Sequence, residues 1–141
     1  MRKTRLNIAQ MHWGFPPIIG GVETHLTIIL PQLVKFGHRV SLLTGTAEGA
    51  KTRYKYEGVD IYRIPIMDLN WLYKRGLEGI KDEVYSVFTS FLNKSKADVI
   101  HVHNMHYFSK VHNCCKPFYK KGDYGHRRRR QKNYRNSSRN R

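Results

Sequence analysis

The feature that most constrains this chain is a change of rhythm near its start. Leu6 to Met11 is a short apolar run, and it opens into the breaker-rich stretch Gly14-Phe15-Pro16-Pro17-Ile18-Ile19-Gly20-Gly21, which reads as a buried strand followed by a glycine-rich loop. Val22, Leu26, Ile29, Leu30, Leu33 and Val34 then recur as one apolar helix face, with Gly37 as a stop and Pro31 as an expected kink. Val40 to Thr44 reads as a second strand after the tight Gly37-His38-Arg39 turn. Strand, loop, helix and strand in this order form a βαβ unit.

The same grammar continues. Val59 to Ile64 alternates with polar residues and stops at Pro65, which suits a strand at a sheet edge. Leu77, Ile80, Val84, Val87, Phe88 and Phe91 form the stripe of a second helix, and Asp98 to His103 is its partner strand. Alternating strands and helices imply an α/β fold, Rossmann-like, with a mostly parallel sheet and helices on both faces. Lys51, Arg53 and Lys55 read as a solvated loop, and Trp13, Phe15, Trp71 and Tyr73 as packing residues rather than a ligand wall.

From Lys116 to Arg141 no apolar periodicity survives, and Arg127 to Arg130 with Asn133, Asn136, Ser137 and Ser138 predict a disordered tail. The expected division is thus a domain over 1–115 and a basic tail over 116–141. The tail holds eleven Lys or Arg against Asp123, a net +10 of the chain's +16, so the domain is only mildly basic. Such a tail is expected to bind polyanions without specificity, and a nucleic-acid-binding protein is the alternative reading. It lacks regularly interleaved aromatics and any recognised RNA-binding signature.

Cys114 and Cys115 are adjacent and do not suggest a secreted disulfide framework. Asn7, Gln10 and His12 interrupt the apolar run as a signal-peptide core would not allow, and no stretch is long enough to span a bilayer. A cytoplasmic protein, at most peripheral at a membrane, is the expectation.

Two sites could carry chemistry. At Gly20 and Gly21 the backbone can approach a ligand, and the free N–H groups of a helix start favour phosphate or sugar oxygens, although a tight turn would use the same residues. The spacing is not G-x-G-x-x-G, which argues against a nicotinamide enzyme. Nor does the Ser/Thr-rich phosphate loop of a small flavodoxin-like domain follow the first strand. The other site is His101-Val102-His103-Asn104 at the carboxyl end of a strand, where ligands sit in open α/β sheets. His101 and His103 share a strand face, and His106 is available, but no Cys or carboxylate lies at ligand spacing, so no metal is expected.

Pro16-Pro17-x-x-Gly20-Gly21-x-Glu23-x-His25, the Gly37-His38-x-Val40 turn and Ala97-Asp98-Val99-Ile100-His101-Val102-His103-Asn104 occur in an order and spacing that resemble the N-terminal domain of family 4 glycosyltransferases. The resemblance runs from about Leu6 to Ser109. It implies retaining enzymes of GT-B architecture, two Rossmann-like lobes facing a cleft, with a nucleotide-sugar donor held mainly by the second lobe and a carbohydrate or lipid acceptor by the first. By position it places Gly20 and Gly21 near the donor phosphates and His103 facing the transferred sugar as the catalytic residue. Glu23, His101 and Asn104 fall to the acceptor side or to support, with no cofactor and no bound metal. The C-terminal lobe is missing from these residues, and past Lys110 the resemblance fades into the arginine-rich tail, as in a truncated fragment or a shifted reading frame. A chain of this kind is expected to be inactive alone.

Overall fold

The computed structural model describes residues 4–76 and 78–105. Leu77, His106, Cys114, Cys115 and the basic stretch 116–141 lie outside the described residues. Strand β1 (Asn7–Met11) leads through the glycine-rich loop into helix α1 (Gly21–Lys35), and β2 (Arg39–Gly45) returns beside β1. An antiparallel hairpin follows, β3 (Arg53–Tyr56) and β4 (Val59–Ile64). A short 3₁₀ turn (Pro65–Met67), helix α2 (Leu69–Arg75), helix α3 (Ile80–Ser95) and strand β5 (Val99–Val102) complete the order. The sheet runs β3-β4-β2-β1-β5, and every pairing except β3 with β4 is parallel.

Strand alternation divides the core between the two faces of the sheet. Val40 and Leu42 of β2 and Val59 and Ile61 of β4 pack with Phe15 and with Leu26 and Leu30 of α1. Ala9, Met11 and Leu43 turn the other way and pack with Leu72 of α2 and with Val84, Phe88, Phe91 and Leu92 of α3. The fold is therefore the α/β, mostly parallel sheet with helices on both faces that the sequence pattern implies.

Three details differ from the sequence expectation. Val59–Ile64 is not the edge strand, because β3 pairs along it and takes the edge itself. Arg53 and Lys55, expected in a solvated loop, belong to that strand, where Lys55 pairs with Asp60 at 2.8 Å. The hairpin is closed by Glu57 and Gly58 with φ of 44° and 86°, the backbone of a type I′ turn. The expected second helix is α3, which starts at Ile80, and a separate helix, α2, precedes it. Asp68 caps α2 by accepting from the Asn70 and Trp71 amides at 2.9 and 3.4 Å. Helix α1 runs unbroken through Pro31 to Lys35. Its end is a Schellman motif, with Gly37 N–H donating to Val34 O and His38 N–H to Leu33 O, and with Gly37 at φ 95°.

Candidate functional site

The carboxyl ends of β1, β2 and β5 converge on one edge of the sheet, and the loop from Trp13 to Gly20 lies there. Parallel pairing sets Gln10 opposite His101 and Met11 opposite Val102, so the residues just past both strands, His12 and His103, meet side by side. The His103 amide donates to Met11 O at 2.9 Å, and His12 Nδ1 donates to the His103 carbonyl at 3.0 Å. His103 Nε2 donates to Gln10 Oε1 at 2.7 Å.

Glu23, in the first turn of α1, is 3 % exposed, and its Oε1 lies 3.0 Å from His12 Nε2. His12 is 1 % exposed. Both of its nitrogens face oxygen. The His103 carbonyl can only accept, so Nδ1 must carry a proton, and one further proton is held between Nε2 and the Glu23 carboxylate. The pair is thereby neutral as a unit, which is how a carboxylate this deep is tolerated.

Gly20 acquires a specific steric reason. A Cβ there would collide with Glu23 Oε2, and one at Gly14 would collide with Glu23 Oε1. These two glycines make room for the buried carboxylate. Among the described residues, Gly21 has nothing within 4 Å of where its Cβ would stand, so its missing side chain leaves open space at the first residue of α1. Thr24 N–H is the first amide bonded within the helix, to Gly20 O at 2.9 Å. The preceding amides belong to the helix start, where the backbone dipole favours negative groups.

His101 and His103 stack with ring centroids 4.0 Å apart, and His12 lies edge-on to His103 at 6.2 Å. Burial first, then the neighbouring His101, His12 and His25 rings, push the His103 imidazole down from 6.5 to about 4, so it is neutral near neutral pH. As a neutral ring donating from Nε2 to Gln10, it keeps Nδ1 as an acceptor. Asn104 follows in left-handed backbone at φ 45°, exposed beside the cluster. An open, mainly apolar groove of about 300 Å³ between α1 and β5, floored by Ile8, Ile29, Leu33 and Val99, shares Gln10 and His101 with this cluster. Among the described residues, no three His, Cys, Asp or Glu stand where they could share a metal ion, and no helix is long and apolar enough to cross a membrane.

The structure thus joins Gly20, Glu23, His101 and His103 in one cluster. Gln10 and His12 are additions. In the sequence they are only polar interruptions of an apolar run, and their one legible signal is a position at the end of a strand beside a glycine-rich loop. Phe15 is core, fully buried against α1, while Tyr73 is 91 % exposed.

A mostly parallel α/β sheet with a glycine-rich helix start and a buried polar cluster at its carboxyl edge, the edge where open α/β sheets hold their ligands, defines a Rossmann-like lobe. Residues 19–133 match the profile of Glycosyltransferase Family 4, and the chain belongs to that family. The match takes in Gly20, Gly21, Glu23, His101 and His103 and continues beyond Ser109, where the motif resemblance ends. No curated protein matches the chain.

Proposed function

We propose that this chain is the acceptor-side lobe of a retaining, GT-B glycosyltransferase that moves a sugar from a nucleotide-sugar donor to a carbohydrate or lipid acceptor. The observation that carries the proposal is the link from the start of α1 through Glu23 and His12 to His103, which ties the glycine loop and the strand-end histidine into one hydrogen-bonded unit.

In this reading Gly21 and the first free amides of α1 receive diphosphate oxygens, whose charge grows as the sugar departs and is favoured by the helix start. Gly20 serves that arrangement indirectly, by admitting the Glu23 carboxylate. His103 is the catalytic residue facing the transferred sugar, and its neutral ring offers Nδ1 to a sugar hydroxyl rather than a positive charge. Gln10 and His12 hold its ring and backbone. Glu23, His101 and Asn104 support the acceptor side, the last two from exposed positions.

Donor binding and most of the orientation needed for transfer fall to a second lobe, so the chain alone transfers no sugar. The test is an assay of nucleoside-diphosphate release and product formation with the full chain, alone and with the donor lobe of a family 4 enzyme added in trans. Turnover only in the second case, lost in His103→Ala, is expected. Robust turnover by the chain alone would overturn the half-enzyme reading.

A further inference from the structure

Alternation along β4 puts Val59, Ile61 and Arg63 on the sheet face that α1 covers. Two of them are core. The third is a guanidinium 3 % exposed, lying 5.8 Å from the centre of the Tyr54 ring. A charge this deep ordinarily has a carboxylate partner. Among the described residues, Arg63 has no ion-pair partner.

Its partners are neutral oxygens from three separate segments. Nη1 donates to Gly45 O at the end of β2, at 3.0 Å. Nη2 faces Phe15 O at 3.3 Å, Pro16 O and the Tyr54 hydroxyl at 3.2 Å. Nε has no partner. Stability alone does not call for this arrangement, because a well-packed apolar side chain in place of a buried charge is often neutral or stabilising. An apolar side chain cannot, however, hold the Phe15 and Pro16 carbonyls, which stand in the loop leading to Gly20 and Gly21. Inside that loop the backbone contributes the bond from Ile18 N–H to Phe15 O at 3.2 Å.

We propose that Arg63 is a positioning residue whose guanidinium fixes the Phe15–Pro16 backbone and so sets how the glycine loop presents the start of α1 to an anionic ligand. The ligand part of this proposal rests on the donor-phosphate reading above; the positioning part does not. Arg63 touches no ligand itself and acts through the loop.

The full chain labelled with ¹⁵N-glycine gives amide resonances for Gly20 and Gly21, to be compared in the wild type, Arg63→Met, Arg63→Lys and the control Leu72→Ala. Leu72 packs in the cluster on the opposite face, so its truncation weakens the fold without touching the loop. Expected are shifted Gly20 and Gly21 resonances in both Arg63 variants and unmoved ones in the control. Pyrophosphate, titrated into each, should bind about tenfold more weakly to Arg63→Met than to the wild type, because loop order is lost before binding. Wild-type glycine resonances and pyrophosphate affinity in Arg63→Met would overturn the proposal. Should that variant not fold, Arg63→Lys decides alone, since it keeps the charge and loses the planar set of donors. Failure of the wild type to bind pyrophosphate would sink the donor-phosphate reading, while the glycine resonances still decide the role of Arg63.

Discussion

At the residue scale, Gly20 and Gly21 are neighbours with different work, and substitution separates them. Gly20→Ala forces a methyl group into the Glu23 carboxylate and should cost about 1–3 kcal/mol, as overpacking does. In a Glu23→Ala background that cost should largely vanish, since the colliding group is gone. Chemical denaturation of the two singles and the double gives the coupling, and a Gly20→Ala cost unchanged by Glu23→Ala would refute the carboxylate explanation. Gly21→Ala meets no atom and should leave stability intact or slightly raised. Loss of pyrophosphate binding in that variant, with melting unchanged, is the outcome expected if Gly21 is open for a ligand. His103 gives a pH signature. Its folded-state pKa of about 4 lies below the ordinary 6.5. As pH falls through that interval the unfolded chain takes up a proton that the folded chain refuses, so stability is lost on acidification and is unaffected above it. The wild type should therefore lose more of its melting temperature than His103→Gln between about pH 7 and about pH 4.5. Parallel profiles would show that the ring is not held neutral.

At the scale of elements, Glu57 and Lys96, like Asn104, hold a side chain in backbone that prefers none. Glu57 opens the I′ turn of the β3–β4 hairpin at φ 44°, and Lys96 ends α3 at φ 48°. Asn tolerates the left-handed region better than Glu, so Glu57→Asn should stabilise the chain by about 0.5–1 kcal/mol. Lys96→Gly should act in the same direction at the helix end. Gly58 admits no such change, because its φ is 86° and a Cβ would press on Val34 of α1. Urea midpoints read all three. A Glu57→Asn midpoint below that of the wild type would mean that Glu57 makes a contact worth more than the strain it carries.

At the scale of the whole molecule, the net charge of +16 is concentrated toward one end, with +10 in Lys116–Arg141. Counterion release then predicts that short RNA binds the full chain at low salt and dissociates steeply as salt rises. Replacing Arg127, Arg128, Arg129 and Arg130 with Ser should flatten the salt dependence. Salt-resistant, sequence-selective binding that survives this replacement would require a nucleic-acid site in the α/β lobe. Absence of any binding at low salt would show that the charge is not available to polyanions.

The βαβ opening, the parallel order of β1, β2 and β5, and the placing of both candidate motifs at one edge are legible because they depend on local rhythm. Apolar period, glycine position and right-handed crossover act within a few tens of residues. The histidine pair at the end of β5 is visible for the same reason. What the one-dimensional pattern does not hold is pairing across the chain. Strand β3 reads as a charged loop because an edge strand that faces water needs little apolar content, and only its register against β4 makes it a strand. His12 and Gln10 look like interruptions until β5 lies alongside β1, 91 and 93 residues away from the carbonyl and ring they hold. Arg63 reads as one more polar position in an alternating strand, and its burial with no carboxylate partner among the described residues follows from three segments that close over it. Sequence by itself determined β1, α1, β2, β4, α3 and β5 and the edge at which β1, β2 and β5 end. Tertiary structure alone decided which polar side chains are buried together, because the cost of burying a charge or an unpaired donor is settled by partners that are distant in sequence.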